Sequence, residues 1–275
     1  MAHETKLSNN DVYHVHIGVA NKLMERVLKT AHAGPERPAC DAAFQLIRRI
    51  TNAGNSIGIL QTKSPPDHDW KLDACLILRG VYDAMIQALY ILGDRTKADD
   101  RGQLYIDHYL IEKVEMLERY VSSPTFLGNK MANSPKRAAA EPQIRAEFNK
   151  VCGKFVVTKK GKFAGYRTNW YRGTLRDLSQ EIGLETEYEL IHKMLSGAVH
   201  SSAYAIQEGC GILDEHVADI AVKFHLRILS KLCNLLGVPL DKFESDICGL
   251  ADRNMFELSS PVPPPPPPIP PTTAK

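Results

Sequence analysis

The sequence predicts an all-α, mainly antiparallel multi-helix bundle that carries a basic loop or small hairpin insertion and ends in a disordered proline-rich tail. Three observations predict it. Apolar residues recur at three-, four- and seven-residue steps through most of the 275 residues. Only the stretch from Phe155 to Tyr166 is rich in strand-forming residues around a turn. Nine of the 17 prolines crowd into Pro261 to Lys275, where a polyproline II rod without a packed core is expected. The boundaries that follow are a helical domain over 1–258, with the basic and aromatic insertion at 150–173, and a tail over 259–275.

Taken in order, Tyr13, Ala20, Leu23 and Val27 mark a first amphipathic helix from about Asp11 to Ala31, which Gly34, Pro35 and Pro38 end. A second runs from about Cys40 to Gln61, weakened late by Gly54 and Gly58. The third, about Asp69 to Leu92, is apolar nearly all round, with Arg79 and Asp83 set within an apolar stripe; such a helix belongs at the centre of its bundle. The fourth, about Arg101 to Val121, sorts Tyr105, Tyr109, Met116, Leu117 and Tyr120 to one side and Asp107, His108, Glu112, Glu115 and Glu118 to a solvated side. Ala138 to Lys150 is expected to be helical with Pro142 in an early turn. Thr174 and Asp177 form an acidic variant of the capping box before a short helix closed by Gly183. The next helix starts near Glu185 and passes through His192, Ser196 and His200. A last strong one, about Glu215 to Leu236, keeps Lys223, Arg227, Ser230 and Asn234 away from its apolar face, and a weaker helix follows to Glu257.

Composition narrows the function classes. Hydrophobic residues at 44% and charged residues at 24% describe a globular chain rather than a disordered or collagenous one. No uninterrupted apolar run approaches the eighteen or so residues of a membrane span, and the first thirty residues lack the layout of a secretory signal. A cytoplasmic protein with no membrane partner is therefore expected. The six cysteines are scattered without a C-x-x-C pair, so neither a zinc finger nor a disulfide framework is predicted.

Three constellations carry chemistry. Arg79 and Asp83, four apart on a helix, can pair. They either bind and orient an anion or fix helix packing. Glu189, Ser196 and His200 lie within about 80° of His192 on a helix, an arc suited to acid/base work by His200 with Ser196 or Glu189 orienting it; its bland alternative is a set of packed or half-exposed polar residues. The catalytic candidates are therefore Arg79, Asp83, His192, Ser196 and His200. Between Lys150 and Arg176 stand eight basic residues and no acidic one, against a net charge of +2 for the whole chain. Aromatic rings interleave with them, the pattern of single-strand nucleic-acid contacts, and Lys159, Lys160, Lys162, Arg167, Trp170 and Arg172 are the candidate contacts. The alternative there is a solvated lysine turn whose rings pack on the bundle. No metal ligand set and no cofactor are predicted, since a single Glu-x-x-His unit at Glu189 and His192 falls short of a di-iron site.

At Asn169-Trp170, Thr174, Leu178, Tyr188 and Ser196-Gly197-Ala198-Val199-His200-Ser201, the chain resembles a bacterial family known as domain of unknown function 5677. The resemblance implies an all-helical fold and a cytoplasmic bacterial protein. A more distant likeness is to the HEPN helical bundles, many of them ribonucleases of toxin and phage-defence systems. Their signature places an arginine four to six residues before a histidine. No arginine falls in that window before His200, so Arg79 would have to replace it from another helix. Two functions are expected on these grounds. One is a nucleic-acid-directed defence or regulatory protein, in the sharpest form a metal-independent ribonuclease that takes RNA or single-stranded DNA. The other is a non-catalytic helical module that binds a protein partner and keeps its polar cluster for structure.

Overall fold

The computed structural model of the protein describes residues 9–65, 70–123, 125, 129–130, 133–199 and 217–252. The expected tail at 259–275 and His200 lie outside the described residues. Nine α-helices are present among those described: α1 (Asn9–Ala33), α2 (Pro38–Lys63), α3 (Trp70–Leu92), α4 (Ala98–Ser122), α5 (Pro135–Val151), α6 (Leu175–Glu181), α7 (Glu185–Val199), α8 (Val217–Leu236) and α9 (Lys242–Asp252). They form a mainly antiparallel bundle, and a two-stranded antiparallel sheet of β1 (Val156–Lys159) and β2 (Lys162–Tyr166) projects between α5 and α6.

The core follows from the apolar stripes. Val19, Ala20, Leu23 and Val27 of α1 are buried at helical spacing and meet α8, where Ile220, Ala221, Phe224, Ile228, Leu232 and Leu235 are buried too. Pro38 sits in the first turn of α2, where its missing N–H removes nothing the helix needs. Gly54 and Gly58 remain inside α2. Helix α3 is the hub: it packs on α2, α6, α7 and α8, and buries Ala74, Cys75, Leu78, Val81, Tyr82 and seven further residues through Leu92 on several sides. By length and composition α3 is apolar enough to cross a membrane, which a search for uninterrupted apolar runs passes over because Arg79 and Asp83 break the run. In this fold its neighbours are the other helices of the bundle.

Two expectations about faces and one about a helix start are corrected. On α4 the supposedly solvated side turns inward at Asp107 and His108, both buried, while Tyr109 and Met116 are exposed. The hairpin region explains the reversal: Lys154 Nζ donates to Asp107 at 2.6 Å, His108 Nε2 lies 3.0 Å from the Arg167 carbonyl oxygen, and the Phe155 ring meets the His108 ring edge-on. On α8, Arg227 is buried rather than turned to solvent, because Glu187 of α7 is buried opposite it and accepts from both Nη groups, at 2.7 and 3.0 Å. On α5 the helix begins three residues before the expected Ala138, with Ser134 accepting from the Arg137 N–H, so Pro142 lies in the helix interior instead of an early turn.

Local signals act as the sequence implies. The Thr174 side chain and Asp177 complete a reciprocal capping box at α6. Lys160 and Gly161 both take positive φ, 52° and 74°, at the hairpin tip, the requirement of a tight two-residue turn that matches strand twist. Helix α9 is held on α1 by Glu244, which lies between Lys22 at 2.8 Å and Arg26 at 2.7 Å. Burial raises the Glu244 carboxyl, but those two cations and the backbone N–H donated within its own turn outweigh it and bring the group down to about 2.

Candidate functional site

Helix α3 sets Arg79 and Asp83 one turn apart on the side that faces α7, and their charged groups approach to 3.1 Å with 17% and 29% of the side chains exposed. The approach is poorly directed: Arg79 Nη1 and Asp83 Oδ1 are both buried atoms without a well-formed hydrogen bond. Burial raises the Asp83 carboxyl, against the pull of Arg79 and then of Arg49.

Helix α7 supplies the opposite wall. Tyr188, His192 and Ser196 recur every four residues and so share one face. The Tyr188 ring lies 4.4 Å from the His192 ring, centroid to centroid, and Ser196 Oγ lies 3.3 Å from His192 Nδ1. His192 is lowered from the ordinary histidine range, first by burial and then by the Arg79 charge, so the imidazole is neutral at pH 7. The Arg79 guanidinium therefore acts on a ring from another helix. Arg79, Asp83, His192 and Ser196 are brought to one place; His200 falls outside the described residues. Glu189, one of the two residues expected to orient His200, pairs with Arg176 of α6.

The basic segment is divided by the fold. Lys150 pairs with Glu147, Lys154 with Asp107 and Arg176 with Glu185 and Glu189. Arg167 donates to the Lys154 carbonyl at 2.9 Å and lies over the Phe155 ring, so it ties the base of the hairpin together. Lys159, Lys160, Lys162 and Arg172 remain as exposed cations. Trp170 is a correction: only 4% of it is exposed. Its ring packs among Tyr90, Tyr105 and Tyr171 and its Nε1–H donates to Gln87 at 2.8 Å, so it offers no face to a base. The exposed aromatic of this segment is Phe163, at 63%.

Arg49 escapes a reading of the sequence; Tyr171 is read there only as one of the rings among the basic residues, Tyr105 only as part of an aromatic helix face, and Tyr188 only through the family resemblance. Tyr171 is pushed up to about 12 by burial, then by Asp83, Tyr188 and Asp177. Tyr105 is raised by burial, with Arg49 opposing. Arg49 of α2 is exposed, yet its guanidinium lies beside α3, since a Cβ at Gly80 would stand 3.3 Å from its Nη2. The four-residue spacing from Tyr188 to His192 to Ser196 is a signal a helical wheel carries; nothing in the sequence around Arg49 points to α3. Among the described residues no group of three or more His, Cys, Asp or Glu side chains is placed to hold a metal ion.

The arrangement is thus a half-buried arginine–aspartate pair beside a neutral imidazole, a hydroxyl and the Tyr188 ring, suited to holding an oxyanion and moving a proton beside it. No curated protein and no solved structure matched the chain. One family model matches residues 41–216, a span that holds Arg49, Arg79, Asp83, the hairpin, His192 and Ser196. That match covers well over half of the chain, which belongs to the family described as Family of unknown function (DUF5677).

Proposed function

We propose that the protein binds a single-stranded nucleic acid across the hairpin and the α3–α7 cluster, and that in its sharpest form this is a HEPN-like, metal-independent ribonuclease serving defence or regulation in the bacterial cytoplasm. One observation carries the reading. Tyr171 lies inside the basic segment and Asp83 and Tyr188 act on it electrostatically, so its exposed neighbour Arg172 stands near the cluster, which supports reading the exposed cations and the cluster as one binding surface. A strand tracking those cations is led to Arg79 and His192.

The chemistry uses a proton, a phosphate and the ligand's own nucleophile. His192, neutral at pH 7, takes the 2′-hydroxyl proton as the 2′-oxygen bonds to phosphorus. The P–O5′ bond breaks, and the 5′-oxygen takes a proton from water, leaving a 2′,3′-cyclic phosphate and a 5′-hydroxyl. Arg79 offsets the charge that grows on the non-bridging oxygens. Ser196 positions the imidazole through Nδ1.

The test is a titration of a fluorescent oligouridylate with the full-length protein at several salt concentrations. Binding weakens steeply with salt, and replacing Lys159, Lys160 and Lys162 with Gln lowers the slope by roughly two, at about 0.7 per phosphate contact on a single strand. Cleavage of that RNA in EDTA, lost in His192→Ala and in His200→Ala with the fold intact, supports the enzyme. A folded protein that shifts neither RNA nor single-stranded DNA at low salt refutes the reading. The exposed Tyr109 and Met116 on α4 favour a second one, a module that docks a protein partner; capture of a partner lost in Tyr109→Ser would then replace the first.

A further inference from the structure

We propose that Arg49 and Arg79 form a two-arginine clamp for one phosphodiester, with Asp83 as the internal counter-ion that the phosphate displaces. The inference rests on the nucleic-acid reading for its ligand and adds to it the place where one backbone phosphate sits. Arg79 of α3 approaches Asp83 to 3.1 Å, Arg49 of α2 lies against α3 at Gly80, one turn before Asp83, and both charges act on that carboxylate. Gly80 marks the approach: a Cβ there would stand 3.3 Å from Arg49 Nη2, so a large side chain at this position would displace the guanidinium.

The carboxylate does not close the arrangement. Arg79 Nη1 reaches Asp83 at 3.1 Å, but neither it nor Asp83 Oδ1 has a well-formed hydrogen bond. Buried polar atoms are ordinarily satisfied, and guanidinium groups reach their best geometry with two acceptor oxygens in one plane. A tetrahedral phosphate presents such oxygens to two arginines at once. Charge selects among phosphates. Two guanidinium groups against one carboxylate leave a single positive charge, which matches the monoanionic diester of a nucleic-acid backbone better than a dianionic terminal or free phosphate.

The closing experiment uses the full chain and two probes, an unphosphorylated oligouridylate and inorganic phosphate, with circular dichroism of each variant as the check on folding. Arg49→Gln and Arg79→Gln should each weaken oligouridylate binding roughly tenfold, the scale of one charge-assisted hydrogen bond. Gly80→Leu should do the same without changing any charge, by pushing Arg49 off α3. Asp83→Asn should tighten binding several-fold, and should raise the affinity for inorganic phosphate more than that for the oligonucleotide. Folded Arg49→Gln and Gly80→Leu variants that bind like the parent overturn the clamp, even if the hairpin still binds RNA. If the parent binds no oligonucleotide, the nucleic-acid reading fails by itself. The clamp is then decided by NMR of the arginine side chains with inorganic phosphate: shifts at Arg49 and Arg79 in the parent keep it, and none removes it.

Discussion

Arg227 of α8 and Arg79 of α3 each face a carboxylate across or along a helix, and the fold treats them oppositely. Arg227 meets Glu187 through both Nη groups at 2.7 and 3.0 Å, gives its Nε–H to the Ala251 carbonyl, and is buried with its partner. That pair ties α7, α8 and α9 together. Arg79 meets Asp83 once, at 3.1 Å with poor direction, and both side chains stay partly exposed. A closed pair has no bonding capacity left for a ligand, whereas an open one does. The aromatic residues of the basic segment repeat the contrast, with Trp170 sealed by a hydrogen bond and three tyrosines and Phe163 left in solvent.

The largest effect should come from opening the closed pair. Arg227→Met leaves Glu187 as an unpaired buried charge and should cost about 3–5 kcal/mol in urea unfolding, with much of it recovered when Glu187→Leu is added. Loss of less than about 1 kcal/mol would break the comparison. Among the aromatics, Trp170→Ala should cost a similar amount, about 3–5 kcal/mol, while Phe163→Ala should leave stability within about 1 kcal/mol and weaken strand binding instead. Unfolding at fixed pH, set beside oligonucleotide titration, separates the two.

Histidines sharpen it by pH. Burial brings His225 of α8 down to about 4 from 6.5, and its buried Nε2 has no hydrogen-bond partner. The folded state therefore stays neutral where the unfolded chain takes a proton. The stability this contributes is intact above about pH 6.5 and is lost as pH falls towards 4, by about 3 kcal/mol in all. His225→Leu should flatten the acid limb of the unfolding curve; an unchanged limb would assign it to other groups.

The smallest effects belong to the open pair. Arg79→Met should change stability by no more than about 1 kcal/mol while abolishing the contribution of the α3–α7 cluster to binding. Carbon-detected NMR should find Asp83 titrating above 3.8, since burial raises it despite Arg79 and Arg49. A value below 3.8 would mean that the pair is closed in solution.

Elements whose causes are local are legible from the residues alone. Apolar residues at three- and four-residue spacing define α1 to α4 and α8, and Thr174 with Asp177 starts α6; the Lys159–Lys162 turn is compatible with a loop or a hairpin, and the pairing of β1 with β2 decides for the hairpin. The sequence also names Arg79, Asp83, His192 and Ser196, because a helical wheel is enough to place each pair on one face. Which polar residues are inside depends on packing between helices. Arg227 is buried because Glu187, 40 residues earlier, is buried opposite it, and Asp107 because Lys154 arrives from 47 residues away. Arg49 joins the candidate site because α2 packs on α3 at Gly80. A charge leaves water only where a partner offsets its desolvation, and that partner is chosen by packing between distant segments rather than by the spacing of neighbours.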